Sequence, residues 1–172
     1  MEFAQRFIAL REALRAQCPT EFSHENNAEV CGRTVALHSY ARITIKQKLL
    51  GLIDTKNLVY STERRVYALE PNPLTENAID AWWNYGCQIV DEMTQPEEGH
   101  QFSMVSVMLA CPQVDARVAR KMRRLRHEID FKKEERGWVS LRFAVIDLST
   151  GKVFTNSMGA PLTNILKKAW QG

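Results

Sequence analysis

From Phe102 to Cys111 the chain reads Phe-Ser-Met-Val-Ser-Val-Met-Leu-Ala-Cys, apolar at odd and even positions alike. A strand with one wet face alternates apolar and polar residues, so a run like this has the pattern of a central strand with both faces covered. The longest apolar stretch, Met104 to Cys111, is interrupted by Ser106 and falls well short of the ~20 residues a membrane-crossing helix needs. The expectation is a sheet built around this segment.

The flanking patterns supply the partners. Phe3, Phe7, Leu10 and Leu14 recur at helical spacing over residues 2–17, and Pro19 ends that helix. Residues 20–33 are polar without a clear period, which fits a loop or a ragged strand. Ala41, Ile43, Ile45 and Leu49 alternate with Arg42, Thr44, Lys46 and Lys48, predicting a strand with one wet face. Asp54 to Asn57 reads as a turn, followed by two short strands, 58–60 and 65–69, joined through Ser61 to Arg64. Thr75 caps a second helix, 75–93, whose stripe includes Ile79, Trp82, Trp83, Ile89 and Val90; Gly86 inside it points to close packing. Val114, Val118, Met122, Leu125 and Ile129 predict a third helix over 113–130. Val139 to Val145 alternates, Ser149-Thr150-Gly151 closes a hairpin onto 152–156, and a last helix carries Leu162, Ile165, Leu166 and Trp170.

Strands in runs, without strict strand–helix alternation, predict a single α+β domain over residues 1–172. The expected sheet is mostly antiparallel or mixed, of five or six strands, with helices packed on it and covering its edges. With 172 residues, 45% apolar and 25% charged, the chain can bury a core without disulfides or a structural metal. The start Met1-Glu2-Phe3-Ala4-Gln5-Arg6 lacks the basic-then-apolar pattern of a signal peptide. Cys18, Cys31, Cys87 and Cys111 form no C-x-x-C pair, so reduced thiols in a cytoplasmic protein are expected.

Charge is segregated. Between Arg117 and Arg136 nine basic residues face four acids, a net of +5 that leaves −2 for the rest of a chain whose total is +3. Arg117, Arg120, Lys121, Arg123, Arg124 and Arg126 crowd into ten residues, whereas 71–101 has six acids and no Lys or Arg. The ordinary outcome is a solvated helix face. The functional alternatives are anion or nucleic-acid binding through the basic helix 117–126, and complementarity between it and the acidic helix region 76–98, within the fold or across a dimer. Aromatic residues able to stack bases are absent there apart from Phe131, so nucleic acid is not the favoured partner.

No catalytic set converges in the sequence. G-x-x-x-x-G-K-[ST], G-x-G-x-x-G, G-x-S-x-G and H-E-x-x-H are all absent. Glu63 and Glu70 lack the acidic-x-Lys that a metal-dependent nuclease uses. His24, Glu25, Glu29 and Cys31 offer mixed ligands from one segment but match no common zinc spacing, so no metal or other cofactor is expected. Two readings remain. The leading one is a cytoplasmic, self-associating, non-enzymatic binding or assembly module acting through its charged helices, with no membrane partner. The other is a small-molecule-binding protein or enzyme with a pocket near Trp82, Trp83, Glu98 and His100.

Overall fold

The computed structural model describes residues 2–49 and 52–172. In chain order the elements are α1 (Phe3–Ala16), β1 (Ser23–Val30), β2 (Arg33–Leu49), β3 (Leu52–Leu69), α2 (Glu76–Met93), β4 (His100–Cys111), α3 (Ala116–Met122), β5 (Glu128–Asp130), β6 (Trp138–Asp147), β7 (Val153–Thr155) and α4 (Leu162–Gln171). The strands form one seven-stranded sheet in the order β1-β2-β3-β4-β6-β5, with β7 also paired to β6. The β3–β4 and β4–β6 pairs are parallel, and the other four are antiparallel. The fold is thus α+β with a mostly antiparallel, mixed sheet. Among the described residues no helix is long and apolar enough to cross a membrane.

The doubly apolar segment forms β4, in the middle of the sheet, with apolar layers on both sides. Val105, Val107 and Leu109 pack with Leu141 and Phe143 of β6 under α2 and α3. Met108 and Ala110 pack with Ala144 and Ile146 under α1 and α4. The terminal helices, expected over the sheet's edges, pair with each other across this second face. Gly86 explains how α2 sits so close: a Cβ there would stand 3.0 Å from Leu141 Cδ2.

Of the two readings offered for the polar segment after α1, the structure has the strand, β1, joined to β2 by a two-residue turn in which Cys31 and Gly32 both have positive φ (46° and 76°). Two local expectations are corrected. Asp54 to Asn57 is not a turn; it lies within β3, which runs without a break where two short strands were expected. The third helix does not run over 113–130 but stops at Met122. Its last turn tightens into i→i+3 bonds, Arg124 N donating to Lys121 O and Leu125 N to Met122 O. Like charges at i,i+4, Arg117/Lys121 and Arg120/Arg124, weaken a longer helix. Ile129 then pairs with Val139 on the edge of β6, where a strand satisfies backbone groups that a helix would leave open.

That edge of β6 is shared, β5 taking 138–140 and β7 taking 144–146. Between them stands Asn156, 1% exposed. Its Oδ1 accepts from Phe143 N (2.9 Å) and Gly159 N (2.8 Å), and its Nδ2 donates to Leu141 O (3.1 Å) and Leu125 O (3.3 Å). One side chain fills the gap in the ladder and uses both ends of its amide. Asn156→Ala strands buried groups worth about 1–3 kcal/mol each, so equilibrium urea unfolding should show a loss of about 2–4 kcal/mol; a loss below about 1 kcal/mol would contradict this role.

Candidate functional site

The face of the sheet that α2 covers changes character along the long strands. Beneath the helix β3 contributes Val66 and Ala68; farther back, at the same parity, come Arg64, Thr62 and Tyr60. Antiparallel register sets Tyr40 opposite Arg64 and Arg42 opposite Thr62, and parallel register sets Ser103 beside Thr62. With Glu92 and Met93 at the end of α2, and Thr94, Gln95 and Glu97 after it, these residues and His100 enclose a cavity of about 310 Å³.

Two guanidinium groups dominate it. Arg64 is half-buried and lies over the Tyr40 ring, 4.6 Å from its centroid. It donates to His38 Nε2, which requires a neutral imidazole with its proton on Nδ1. Among the described residues no carboxylate lies within ion-pair distance of Arg64. Burial draws its guanidinium down from its usual range, though not far enough to cost the charge at neutral pH. Arg42 stands nearer the rim, 3.8 Å over the Tyr60 ring, with Nη1 and Nη2 both donating to Glu97 Oε2 at 3.2 Å.

The floor is a chain of hydrogen bonds. Thr62 Oγ1 and Ser103 Oγ are 2.6 Å apart, and Ser103 Oγ is 2.8 Å from His100 Nε2. The other ring nitrogen of His100 donates to the Arg136 carbonyl, so Nε2 is the acceptor and Ser103 the donor while the ring is neutral. A hydroxyl, a base and a group that orients the base are the parts of an activated nucleophile. Here, however, Ser103 is 3% and His100 4% exposed, and the serine hydroxyl is engaged on both sides. The chain serves as a rigid polar floor. Gly99 and Tyr60 hold it in place: Gly99 has φ +85°, a Cβ there would meet Leu58 O at 2.4 Å, and its carbonyl accepts from Tyr60 N. Cys31, close to Glu92 and Arg64, is pushed up to about 11 by burial and by Glu92, which keeps it a thiol at neutral pH.

Of the residues expected to line a pocket, His100 lies in the cavity wall, and Trp82, Trp83 and Glu98 do not. Trp82 is buried, with Nε1 donating to Glu70 Oε2 and Arg33 over its ring. Trp83 packs edge-on against Phe143. Glu98 is exposed, and its neighbour Glu97 takes the place at the rim. The mixed ligand set disperses: His24 bonds Ser39, Glu29 accepts from Thr34, and Cys31 occupies a hairpin turn. Among the described residues no three His, Cys, Asp or Glu side chains are grouped to hold a metal. The basic segment divides as well. Arg117, Arg120 and Lys121 are on α3, Arg123 caps it, and Arg124 and Arg126 follow it. Lys121 pairs with Asp80 of α2 at 2.6 Å and Arg126 with Glu128 at 2.5 Å, while Arg117, Arg120, Arg123 and Arg124 are exposed.

One family model matches residues 10–168, described as "Domain of unknown function (DUF8052)". The chain belongs to that family. No curated protein and no solved structure matches it.

His38, beside the cavity, is held neutral. Burial, and then the adjacent Arg64 cation, lower His38 from 6.5 to about 4. The unfolded chain therefore binds more protons than the folded one between those values, so this contribution to stability is complete above pH ~6.5 and lost as pH falls toward 4. His38→Gln keeps an acceptor without the titration. In urea titrations from pH 7.5 to 4, wild type should lose about 2–3 kcal/mol more than the variant; parallel curves would show that His38 ionises normally.

Proposed function

We propose that this protein binds a small anionic molecule in the cavity at the end of α2, with Arg64 as the inner anchor and Arg42 at the rim. The observation that carries the reading is the half-buried Arg64 cation, whose contacts here are a neutral imidazole and an aromatic face. A charge drawn out of water without a counter-charge is costly, and an entering carboxylate or phosphate oxygen relieves that cost. Tyr40 fixes the guanidinium plane in advance, so little side-chain entropy is lost on binding. The hydroxyls of Thr62 and Ser103 give the cavity a polar floor suited to oxygen-rich ligands. The reading is of binding and not of nucleophilic catalysis, because the Ser103 hydroxyl is already engaged by His100 and Thr62.

For an assembly role, the basic residues stand on the short helix α3 and the turn after it, not on one continuous helix. A polyanion reading keeps a specific support: Arg117, Arg120, Arg123 and Arg124 are exposed and have no carboxylate within ion-pair distance among the described residues. Such a patch would attract phosphates in a salt-dependent way. Self-association and a cytoplasmic location stay as proposals, the second supported by four free cysteines.

Calorimetric titration of the whole protein with small carboxylates and inorganic phosphate tests the main reading. Wild type should bind at least one of them, and Arg64→Met, which keeps the stem and removes the charge, should bind it at least tenfold more weakly with the fold intact by circular dichroism. No binding by wild type, or equal binding by the variant, would overturn the assignment. For the patch, affinity for a short DNA duplex should fall steeply between low and physiological salt and be weakened by replacing Arg120, Arg123 and Arg124 with Ser; affinity indifferent to both changes removes it.

A further inference from the structure

Resting on the anion-binding reading of the cavity, we infer that its ligand is a small organic dianion with two carboxylates, and that Glu97 is an internal carboxylate which the second of them displaces. The cavity holds two arginines in unequal condition. The inner one, Arg64, has no carboxylate within reach among the described residues; the outer one, Arg42, is already paired with Glu97. Two features make that occupant replaceable. Arg42 rests on Tyr60 at 3.8 Å, so its guanidinium stays in place whether or not Glu97 is there. The Glu97 side chain is 70% exposed and meets both Arg42 nitrogens through a single oxygen, an exposed pair of little intrinsic strength. The Glu97 backbone is tied separately, its N–H donating to Tyr60 Oη at 2.8 Å, so the carboxylate can swing into water while the loop stays put.

Register sets both anchors on one face. Arg42 lies opposite Thr62 and Arg64 opposite Tyr40, which makes the two arginines diagonal neighbours on one face, with Cα atoms roughly 7–8 Å apart. Arg64 leans on Tyr40 and Arg42 on Tyr60, and the cavity of about 310 Å³ admits a short dicarboxylate between them. Glu92 stands on the α2 side of the cavity and repels a second anion there, which leaves Arg42, on the β2 side, as its place.

The experiment compares glutarate, a dicarboxylate, with butyrate, a monocarboxylate, by calorimetric titration of wild type, E97Q and E98Q. Wild type should bind glutarate more tightly than butyrate. E97Q should raise glutarate affinity about 2- to 5-fold, the equilibrium worth of an exposed ion pair, and leave butyrate, held at Arg64 alone, unchanged. E98Q removes the same charge one residue away, outside the cavity, and should change neither. Equal gains for both ligands in E97Q, equal gains in E98Q, or no preference for glutarate in wild type would overturn the inference while leaving an Arg64-dependent anion site standing. Failure of wild type to bind either ligand would remove the inference, and the anion reading falls with it if inorganic phosphate does not bind either.

Discussion

A helix advances 1.5 Å per residue and a strand about 3.3 Å, and that mismatch decides where this molecule can carry a site. The 18 residues of α2 span about 27 Å, whereas the 18 residues of β3 span about 59 Å. A helix returning from β3 to the parallel strand β4 can cover only about half of the long strands it follows. Under the helix the face is Val66, Ala68, Val107 and Leu109; where the helix stops, the same face continues as Arg64, Thr62 and Tyr60. The loop 94–99 that carries the chain into β4 forms the outer wall. The cavity follows from an element-length mismatch, filled by polar side chains where no helix was left to shield apolar ones.

Two polar side chains show opposite solutions to burial. Asn156 is fully buried, and both ends of its amide are used. Such a group specifies the arrangement of β5, β6 and β7 and leaves nothing to offer a ligand. Arg64 is in the other condition: its charge is partly desolvated, and the groups it touches are an aromatic ring and a His38 imidazole kept neutral by burial first and by the Arg64 cation second. The Thr62–Ser103–His100 chain between them is closed like Asn156, which gives the cavity a fixed floor beneath an unsatisfied cation. Binding free energy is available where the fold has left a charge uncompensated, and along the α2 face that place is Arg64.

The sheet was legible in the sequence wherever burial imposed a pattern. Phe102 to Cys111 has the pattern of a strand covered on both faces, Thr75 with Ile79, Trp82 and Ile89 that of a capped amphipathic helix, and Gly86 marked its close approach to the sheet. Of the cavity residues His100 was expected near a pocket; the strand residues were not legible, because polar alternation on a strand has the same appearance whether its outer face meets water or a cavity. Arg42 fitted the wet face of β2, and Thr62 and Arg64 fell in what looked like a connection between two strands. What distinguishes them is shared parity: Tyr40 and Arg42, with Tyr60, Thr62 and Arg64, put two Tyr and two Arg on one face of a hairpin. The sequence contains that pattern, but only the register reveals that the two strands pair across it. The third helix failed for a different reason. Val114, Val118, Met122, Leu125 and Ile129 satisfy helical spacing, yet Ile129 gains more as an edge-strand partner of Val139 than it would in another helical turn crowded with arginines.

The segregated charge, the most conspicuous feature of the sequence, therefore gives little information about the cavity. Part of it is neutralised where it arises: Lys121 reaches Asp80 across the α2–α3 contact and Arg126 folds back on Glu128. These are partly exposed pairs of small intrinsic strength, and the arginines around them stay in water. Arg64 stands outside both charged blocks, in a stretch where Glu63 and Arg65 pair with each other on the opposite face of β3. Strand alternation sends the paired charges to one side and the unpaired cation to the other. A net charge summed over 63–65 would put a single positive charge there, with no indication of its side; the fold places it on the α2 face, where the helix has ended. What an anion meets at this site is set by desolvation and register, and not by the number of arginines nearby in sequence.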